Sequence, residues 1–472
     1  MTRRFAFVFL LLSLIPAVAS AAPVSFKFGK FGTVPVLHPK GEPTQVAILF
    51  SSEKGIGARE AALAKALTDS GALVFEVDTA RYFGTASKAS DHLFPAVDFE
   101  AMSQIGQKEL GLTSYRTPLL VGTGAGSTIA YVAMVEAPPN TFQGAVSDGF
   151  CAVIPVNRLF HRGAGLSWER KRKEPGFRVY AYPGLENPWL ILDSPTPQAC
   201  AAEPAREFAK DVRSAQVIPP PAGVAPQEAW RKQLDQALGI LAEKRRQEEA
   251  MIAARGELKD LPLNEVKPDG PEKDALAVIV TGSGGYVGFD RKMGNQLSAN
   301  GVPVVGLSSL AYFWKPREPD GSSRDMIRIL EHYLKAWHKS RAILVGYSQG
   351  GDVIPFMVSR MPEALRSKIA LIALVGPDGG AQFDLHPDGW ISNRPATPEI
   401  PVAPEVGKLK GTRVLCIYGV KEDKSMCRSL PAGNATVVEL PGDHGFEGDA
   451  PKLAVRFVEE VGLGGEAGKK AP

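Results

Sequence analysis

The stretch AILVGYSQGG, residues 342–351, is the clearest structural motif of this chain. Its apolar, β-branched start is typical of a buried strand, and residues 352–361, which follow it, are compatible with a helix. A strand that turns so sharply into a helix at Gly-x-Ser-x-Gly strains the serine backbone and leaves room only for glycine two positions before and after it. Gly346 and Gly350 meet that requirement around Ser348. The stretch therefore predicts a nucleophile elbow, with Ser348 as the candidate nucleophile.

The size and charge of the chain narrow the classes of protein to consider. At 472 residues it is too long for one ordinary domain, so we expect two. Its 44% hydrophobic and 22% charged residues are those of a soluble globular protein. Lys and Arg total 54 against 51 Asp and Glu, a formal net charge of +3. That near balance predicts no nucleic-acid partner.

The N-terminus has the pattern of a secretory signal peptide. Two arginines precede an apolar run over residues 5–14, in which Ser13 is the one polar residue, and small residues around Ala21 suit a signal peptidase. A transmembrane anchor would need roughly 20 apolar residues, more than this run supplies. We therefore predict a signal peptide over residues 1–21, cleaved near Ala21 or Ala22, and export to an oxidising compartment.

The four cysteines fit such a compartment. An even number of cysteines in an exported protein favours disulfides over free thiols. We predict one disulfide in each half of the chain, Cys151 with Cys200 and Cys416 with Cys427. No cysteines or histidines are paired at the short spacing of a zinc site, so we predict neither a metal nor another cofactor.

Strands and helices alternate along the chain. Apolar runs at residues 45–50 and 72–77 predict buried strands, and residues 59–70 between them have the spacing of an amphipathic helix. The same alternation returns after residue 274. It predicts an α/β fold with mostly parallel sheets and helices on both faces.

The second half of the chain repeats the first. Residues 277–280 match residues 47–50 at an offset of 277 − 47 = 230, and Gly346 matches Gly122 at 346 − 122 = 224. Where the second copy has Ser348, the first has Gly124. We therefore predict two tandem α/β-hydrolase-like domains, the first lacking the nucleophile.

The predicted boundaries follow from this repeat. The degenerate domain occupies residues 22–200 and the catalytic domain residues 274–465. Residues 201–273 are predicted to be a linker, because they include a proline run and a charged helix over residues 225–255.

A serine nucleophile of this fold needs an acid and then a histidine after it in the chain. His386 follows the elbow too soon, whereas His444 comes after the last predicted strand, so His444 is the candidate base. Asp423 is the first choice for the acid and Glu422 the second, since both follow the strand before.

An oxyanion hole in this fold uses the amide after the nucleophile and another from a loop after an early strand. Gln349 supplies the first, and the loop of Gly282, Ser283 and Gly284 supplies the second. Ser283 is not itself a nucleophile candidate, because no elbow surrounds it. With these parts in order, the sequence predicts a serine hydrolase that forms an acyl-enzyme.

Taken together, the motifs of the second half resemble the VirJ/AcvB-type bacterial virulence proteins. They are the elbow at 346–352, the loop 282–285 with Asp290 after it, the aromatic run 312–314, the segment 418–427 and Asp443-His444. The signal peptide and the duplicated domain resemble the longer, AcvB-like members. One departure is Ser283, where an aspartate is expected.

This resemblance implies a periplasmic α/β-hydrolase that removes lysine from lysyl-phosphatidylglycerol, with Ser348, Asp423 and His444 as its triad. It implies an aminoacylated phospholipid at the outer face of the inner membrane as partner, and secretion-system or virulence proteins as further partners. Asp290 and Asp352 are candidates for binding the lysyl ammonium, although helix capping explains Asp352 equally well.

Two other functions remain open at this point. One is a secretion- or virulence-associated periplasmic binding protein that uses the hydrolase fold as a scaffold. The other is a serine hydrolase for a different ester or lipid, because specificity in this fold resides in loops.

Overall fold

The computed structural model describes residues 24–86, 93–156, 160–161, 165–171, 176–194, 204–385 and 399–463. The predicted signal peptide, Cys200 and His386 lie outside the described residues. Among the helices that are described, none is both long and apolar enough to cross a membrane.

The first domain is built on an eight-stranded sheet. The strands of this sheet are β1 (Val24–Phe28), β2 (Gly32–Leu37), β3 (Gln45–Phe50), β4 (Ala72–Val77), β5 (Leu119–Thr123), β6 (Gly144–Asp148), β10 (Trp189–Leu192) and β11 (Ala215–Ile218). A separate three-stranded sheet consists of β7 (Val153–Ile154), β8 (Trp168–Arg170) and β9 (Phe177–Val179). The order in the large sheet is β1-β2-β4-β3-β5-β6-β10-β11, and all pairs from β4 to β11 are parallel. Every residue of β3 is buried, which is typical of a parallel strand covered on both faces.

Helices cover the two faces of this sheet. They are α1 (Ala58–Asp69), α2 (Thr79–Ala86), α3 (Pro95–Glu109), α4 (Ala125–Glu136) and α5 (Ala205–Ala209). Apolar clusters form on both sides of the strands, as the alternation in the sequence predicts.

The charged helix α6 (Pro226–Ala253) lies against the first domain. Its buried residues Trp230, Leu234 and Leu241 join one of that domain's apolar clusters, and the Trp230 indole donates to Asp148 Oδ2 at 3.1 Å. The polar side of the helix faces solvent, as its charge run predicts.

The second domain has a seven-stranded sheet of the same design. The strands of this sheet are β12 (Leu263–Val266), β13 (Leu276–Val280), β14 (Val304–Leu307), β15 (Ala342–Tyr347), β16 (Ile369–Val375), β19 (Val414–Gly419) and β20 (Thr436–Leu440). Two further strands of two residues each, β17 (Gly380–Ala381) and β18 (Ile400–Pro401), pair with each other. The order is β12-β14-β13-β15-β16-β19-β20, with only β12 antiparallel to its neighbour. Its helices are α7 (Gly288–Ala299), α8 (Ser309–Tyr312), α9 (Pro319–Ala336), α10 (Gln349–Ser359), α11 (Glu363–Arg366), α12 (Ala403–Val406) and α13 (Ala450–Glu460).

The two sheets correspond strand by strand. The order β4-β3-β5-β6-β10-β11 in the first is matched by β14-β13-β15-β16-β19-β20 in the second, and β2 and β12 are the antiparallel neighbours in each. Two α/β domains with mostly parallel sheets, as the sequence predicts, are thus confirmed.

The predicted linker over residues 201–273 is wrong in its extent. Residues Ala215–Ile218 are the last strand of the first sheet, and Leu263–Val266 are the first strand of the second. Both are four-residue edge strands, whose pairing depends on a neighbour distant in sequence rather than on a periodic pattern of their own.

The domains touch beside the aromatic run 312–314, which is buried. The Trp314 indole donates to Leu112 O at 2.7 Å, and its ring lies 5.3 Å from that of Tyr115. Lys108 Nζ donates to Trp314 O at 2.5 Å. The first domain therefore supports a loop of the second.

Candidate active site

Ser348 lies at the turn between β15 and α10. Its backbone has φ 52° and ψ −121°, in the left-handed half of conformational space, and its amide donates to Val375 O at 2.8 Å. A Cβ at Gly346 would lie 2.3 Å from Gly350 O, and one at Gly350 would lie 1.9 Å from Val280 O. Only glycine fits at either position, so the geometry is that of the predicted elbow.

The first domain keeps the same turn without the serine. Gly124 has φ 49° and ψ −124°, close to the values of Ser348. The amide of Ala125, which corresponds to that of Gln349, donates to Glu53 Oε2 at 3.3 Å. The backbone of the elbow has therefore been retained, while its amide is satisfied within the domain.

His444 is paired with Glu422. The distance from His444 Nδ1 to Glu422 Oε1 is 2.6 Å, and Glu422 Oε2 accepts from the Gly419 amide at 2.5 Å. The Glu422 side chain is 11% exposed and that of His444 is 41% exposed. The acid is thus anchored at the end of β19, and the imidazole remains accessible from solvent.

Tyr347 holds the histidine beside the elbow. This residue directly precedes Ser348, and its hydroxyl donates to His444 O at 3.1 Å while the two rings lie 5.1 Å apart. From the other side, Gly376 is so close that a Cβ there would lie 2.9 Å from His444 Cε1. The sequence analysis does not identify Gly376, although this glycine directly follows the apolar run IALIALV, residues 369–375, which was a usable signal.

The choice of Asp423 as the acid is corrected by this geometry. Asp423 is exposed, and it is the neighbouring Glu422 that reaches His444. The Glu422 amide donates to Gly419 O at 2.8 Å, which forms a tight turn and directs this side chain inward. Adjacent residues in a turn point in different directions, so the pattern of residue types did not distinguish the two carboxylates.

The glycine loop after β13 lies against the nucleophile. A Cβ on Gly282 would be 3.6 Å from Ser348 Cβ. The Gly282 amide itself points to Asp290 Oδ2, at 3.4 Å. Among the described residues, the amides of Ser283 and Gln349 have no hydrogen-bond partner, and Gln349 begins helix α10, where amides lack partners within the helix. These two amides, rather than that of Gly282, are therefore the candidate oxyanion donors.

Neither aspartate proposed for an ammonium group faces the solvent. Asp290 is 3% exposed and Asp352 is 4% exposed. Asp352 Oδ1 accepts from the Gly379 amide at 2.8 Å, which ties α10 to the loop after β16. Burial raises the pKa of Asp352 to about 7. These positions contradict the expectation that either carboxylate contacts a substrate cation.

The raised pKa of Asp352 predicts a stability that depends on pH. The folded protein holds this proton more tightly than the unfolded chain, where an aspartate titrates near pH 4, so its contribution is complete below pH 4 and is lost as pH rises through about 7. Asp352→Asn keeps an acceptor for the Gly379 amide without the charge. In urea unfolding at pH 8 we expect the variant to be more stable than the wild type, by on the order of 2 kcal/mol. Equal stability at pH 8, or a gain at pH 5 alone, would contradict this.

A disulfide closes the loop that contains Glu422. Cys416 and Cys427 are bonded, with a Cα to Cα distance of 5.4 Å and a sequence separation of 11, which confirms that prediction. Cys151 is also disulfide-bonded, and its predicted partner Cys200 lies outside the described residues.

Removing this disulfide should lower both stability and activity. For Cys416→Ala with Cys427→Ala we expect a loss of about 2–3 kcal/mol in the free energy of unfolding, because the unfolded chain regains the freedom of that loop. We also expect a lower kcat, because Glu422 lies between the two cysteines. Urea unfolding and ester hydrolysis measure the two effects, and a variant as stable as the wild type would be the contrary result.

Comparisons with known sequences match part of this chain. Residues 274–463 match the family model described as bacterial virulence protein (VirJ), so the resemblance predicted from the motifs is confirmed for the second domain. A cutinase from Monilinia fructicola is 30% identical over 89 residues, which is 19% of this chain and 43% of that protein. The chain thus spans less than half the length of that relative.

The solved structures that this chain matches include two bacterial proteins of low sequence identity. One is Est1E from Butyrivibrio proteoclasticus, with 17% identity and a TM-score of 0.32, covering 43% of this chain and 96% of that one. Another is LpqC, a poly(3-hydroxybutyrate) depolymerase from Bordetella parapertussis, with 14% identity and a TM-score of 0.29, covering 43% of this chain and 87% of that one.

Proposed function

We propose that the second domain is a serine esterase of the periplasm that hydrolyses the aminoacyl ester of lysyl-phosphatidylglycerol to lysine and phosphatidylglycerol. The observation that carries the proposal is Ser348 at the apex of an elbow, beside a His444–Glu422 pair whose nitrogen and oxygen are 2.6 Å apart. The match of residues 274–463 to the VirJ family and the partial match to a cutinase support ester hydrolysis. The choice of lipid follows from the resemblance of the motifs to VirJ/AcvB-type proteins.

Ser348, His444 and Glu422 have the roles of nucleophile, base and acid in a serine triad. His444 Nε2 takes the proton of Ser348 Oγ as that oxygen attacks the ester carbonyl. Glu422 accepts from Nδ1–H and stabilises the imidazolium that forms. The developing oxyanion is bound by the amides of Ser283 and Gln349.

The reaction then proceeds through acylation of Ser348 and deacylation by water. The ester oxygen of the glycerol headgroup leaves with the proton from His444, which releases phosphatidylglycerol and leaves lysine esterified to Ser348. A water molecule gives its proton to His444 and attacks this acyl-enzyme. His444 returns this proton to Ser348 Oγ as the bond between Oγ and the lysyl carbonyl breaks, which releases lysine and restores the hydroxyl.

Vesicles that contain lysyl-phosphatidylglycerol test the substrate. We expect free lysine to accumulate with the wild-type protein and not with Ser348→Ala, as measured by amino-acid analysis of the supernatant. Hydrolysis of a simple p-nitrophenyl ester without lysine release would instead favour a serine hydrolase for another ester. Absence of both activities would favour the binding-protein alternative.

A further inference from the structure

The two domains hold an acidic side chain at equivalent positions. Asp290 lies in the first turn of α7 and Glu60 in the first turn of α1, separated by 290 − 60 = 230 positions, the offset of the repeat. Asp290 Oδ2 accepts from the amide of Gly282 at 3.4 Å, and Glu60 Oε1 accepts from the amide of Ser52, again 230 positions earlier, at 3.3 Å. Both copies therefore tie the loop after the same strand back to the following helix.

The surroundings of the two carboxyl groups differ. Glu60 also accepts from the Thr123 hydroxyl and, at 2.9 Å, from the Gly57 amide. Burial raises the pKa of Glu60, but these hydrogen bonds outweigh it and leave the pKa below its ordinary value. The carboxyl group of the first domain is thus an ionised group with its hydrogen bonds satisfied.

In the second domain the hydroxyl partner is missing. Tyr347 stands where the repeat places Thr123, and its hydroxyl donates to His444 O instead. Within the described part of the chain, Asp290 Oδ1 has no hydrogen-bond partner. Burial raises the pKa of Asp290 well above its ordinary range, which favours the neutral form of this carboxyl group. A buried oxygen without a hydrogen-bond partner lowers the stability of a fold. Such an oxygen is found on Asp290, in the domain that carries Ser348, and not on Glu60 in the first domain.

We propose that Asp290 is a positioning residue for the esterase reaction, which holds the Gly282 amide so that the next amide, that of Ser283, faces the oxyanion. The proposal rests on the proposed function of Ser348. Gly282 lies against Ser348, so a small rotation of this loop displaces the donor from the reacting oxygen. A carboxyl group whose neutral form is favoured suits this place, because a carboxylate there would repel the oxyanion that the loop has to stabilise.

Four single variants and two measurements test the proposal. Asp290→Ala removes the acceptor, Asp290→Asn keeps a neutral acceptor, and Asp290→Leu fills the space without one. Glu60→Ala is the matched control, since it removes the equivalent contact from the domain without the nucleophile. The measurements are kcat and KM for p-nitrophenyl butyrate and the midpoint of thermal unfolding.

We expect Asp290→Ala and Asp290→Leu to lower kcat by about 10²-fold with KM changed less than about threefold, as when one oxyanion donor is lost. Asp290→Asn should retain kcat within about fivefold, a rescue that a purely structural role does not require. Glu60→Ala should lower the unfolding midpoint and leave kcat unchanged. If the alanine variant does not fold, the leucine and asparagine variants make the same comparison.

Two results would overturn the proposal while leaving the proposed function intact. One is an active wild type with kcat unchanged in Asp290→Ala or Asp290→Leu, and the other is an equal loss of kcat in Asp290→Asn and Asp290→Leu. A wild type without ester hydrolysis would overturn both the proposed function and the role of Asp290.

Discussion

Ser348→Ala is expected to lower kcat for ester hydrolysis by at least about 10⁴-fold, the largest effect of any single change in this protein. The remaining groups can still bind the substrate, but no covalent intermediate forms without the hydroxyl. Serine already adopts φ 52° here, so alanine adds no backbone strain, and thermal unfolding should be nearly unchanged. Hydrolysis of p-nitrophenyl butyrate by the purified protein measures the effect.

The first domain provides a matched control for this variant. Gly124→Ser, made in the Ser348→Ala background, returns a hydroxyl to a turn with the same backbone angles. We expect no recovery of activity, because the amide of Ala125 is already bound by Glu53. Recovered hydrolysis would show that the chemistry is not confined to the second domain.

Glu422→Gln should lower kcat by about 10³–10⁴-fold, the second-largest effect. The Gly419 amide donates to one carboxylate oxygen, so the glutamine has to turn its own oxygen to Gly419 and its NH₂ group to His444 Nδ1. His444 Nδ1 must then accept a hydrogen bond from the glutamine NH₂ group, so the imidazole proton is on Nε2. A protonated Nε2 cannot act as the base for Ser348. Steady-state kinetics across pH 5–9 measures the loss.

Asp423→Asn is the control for that change, because it alters the neighbouring carboxylate by the same atoms. We expect kcat within about twofold of the wild type, since Asp423 is exposed and it is Glu422 that reaches the imidazole. A large loss with Asp423→Asn and a small one with Glu422→Gln would assign the acid to Asp423 after all.

The fold follows from sequence wherever the pattern is long and local. The apolar run before Ser348 predicts its strand, and the glycines around Ser348 predict the elbow. The repeat, which places Gly124 at the equivalent turn, predicts two domains, and the two sheets agree with it. His444 could be chosen because few histidines follow the elbow and the order of the triad is set by the fold. These inferences need only composition and order along the chain.

The parts that sequence reasoning missed depend on the direction of single side chains. Which of Glu422 and Asp423 points inward is set by the turn at Gly419, and the burial of Asp290 and Asp352 depends on the elements packed over them. The four-residue edge strand Ala215–Ile218 gains its stability from pairing with a distant strand. The hydrophobic periodicity of a segment does not predict contacts of this kind.

Covalent labelling by a fluorophosphonate tests directly whether Ser348 is the nucleophile. The intact wild-type protein should gain the mass of one label, and peptide mass spectrometry should locate it on Ser348. No label, or a label on a residue of the first domain, would contradict the assignment of Ser348 as the nucleophile.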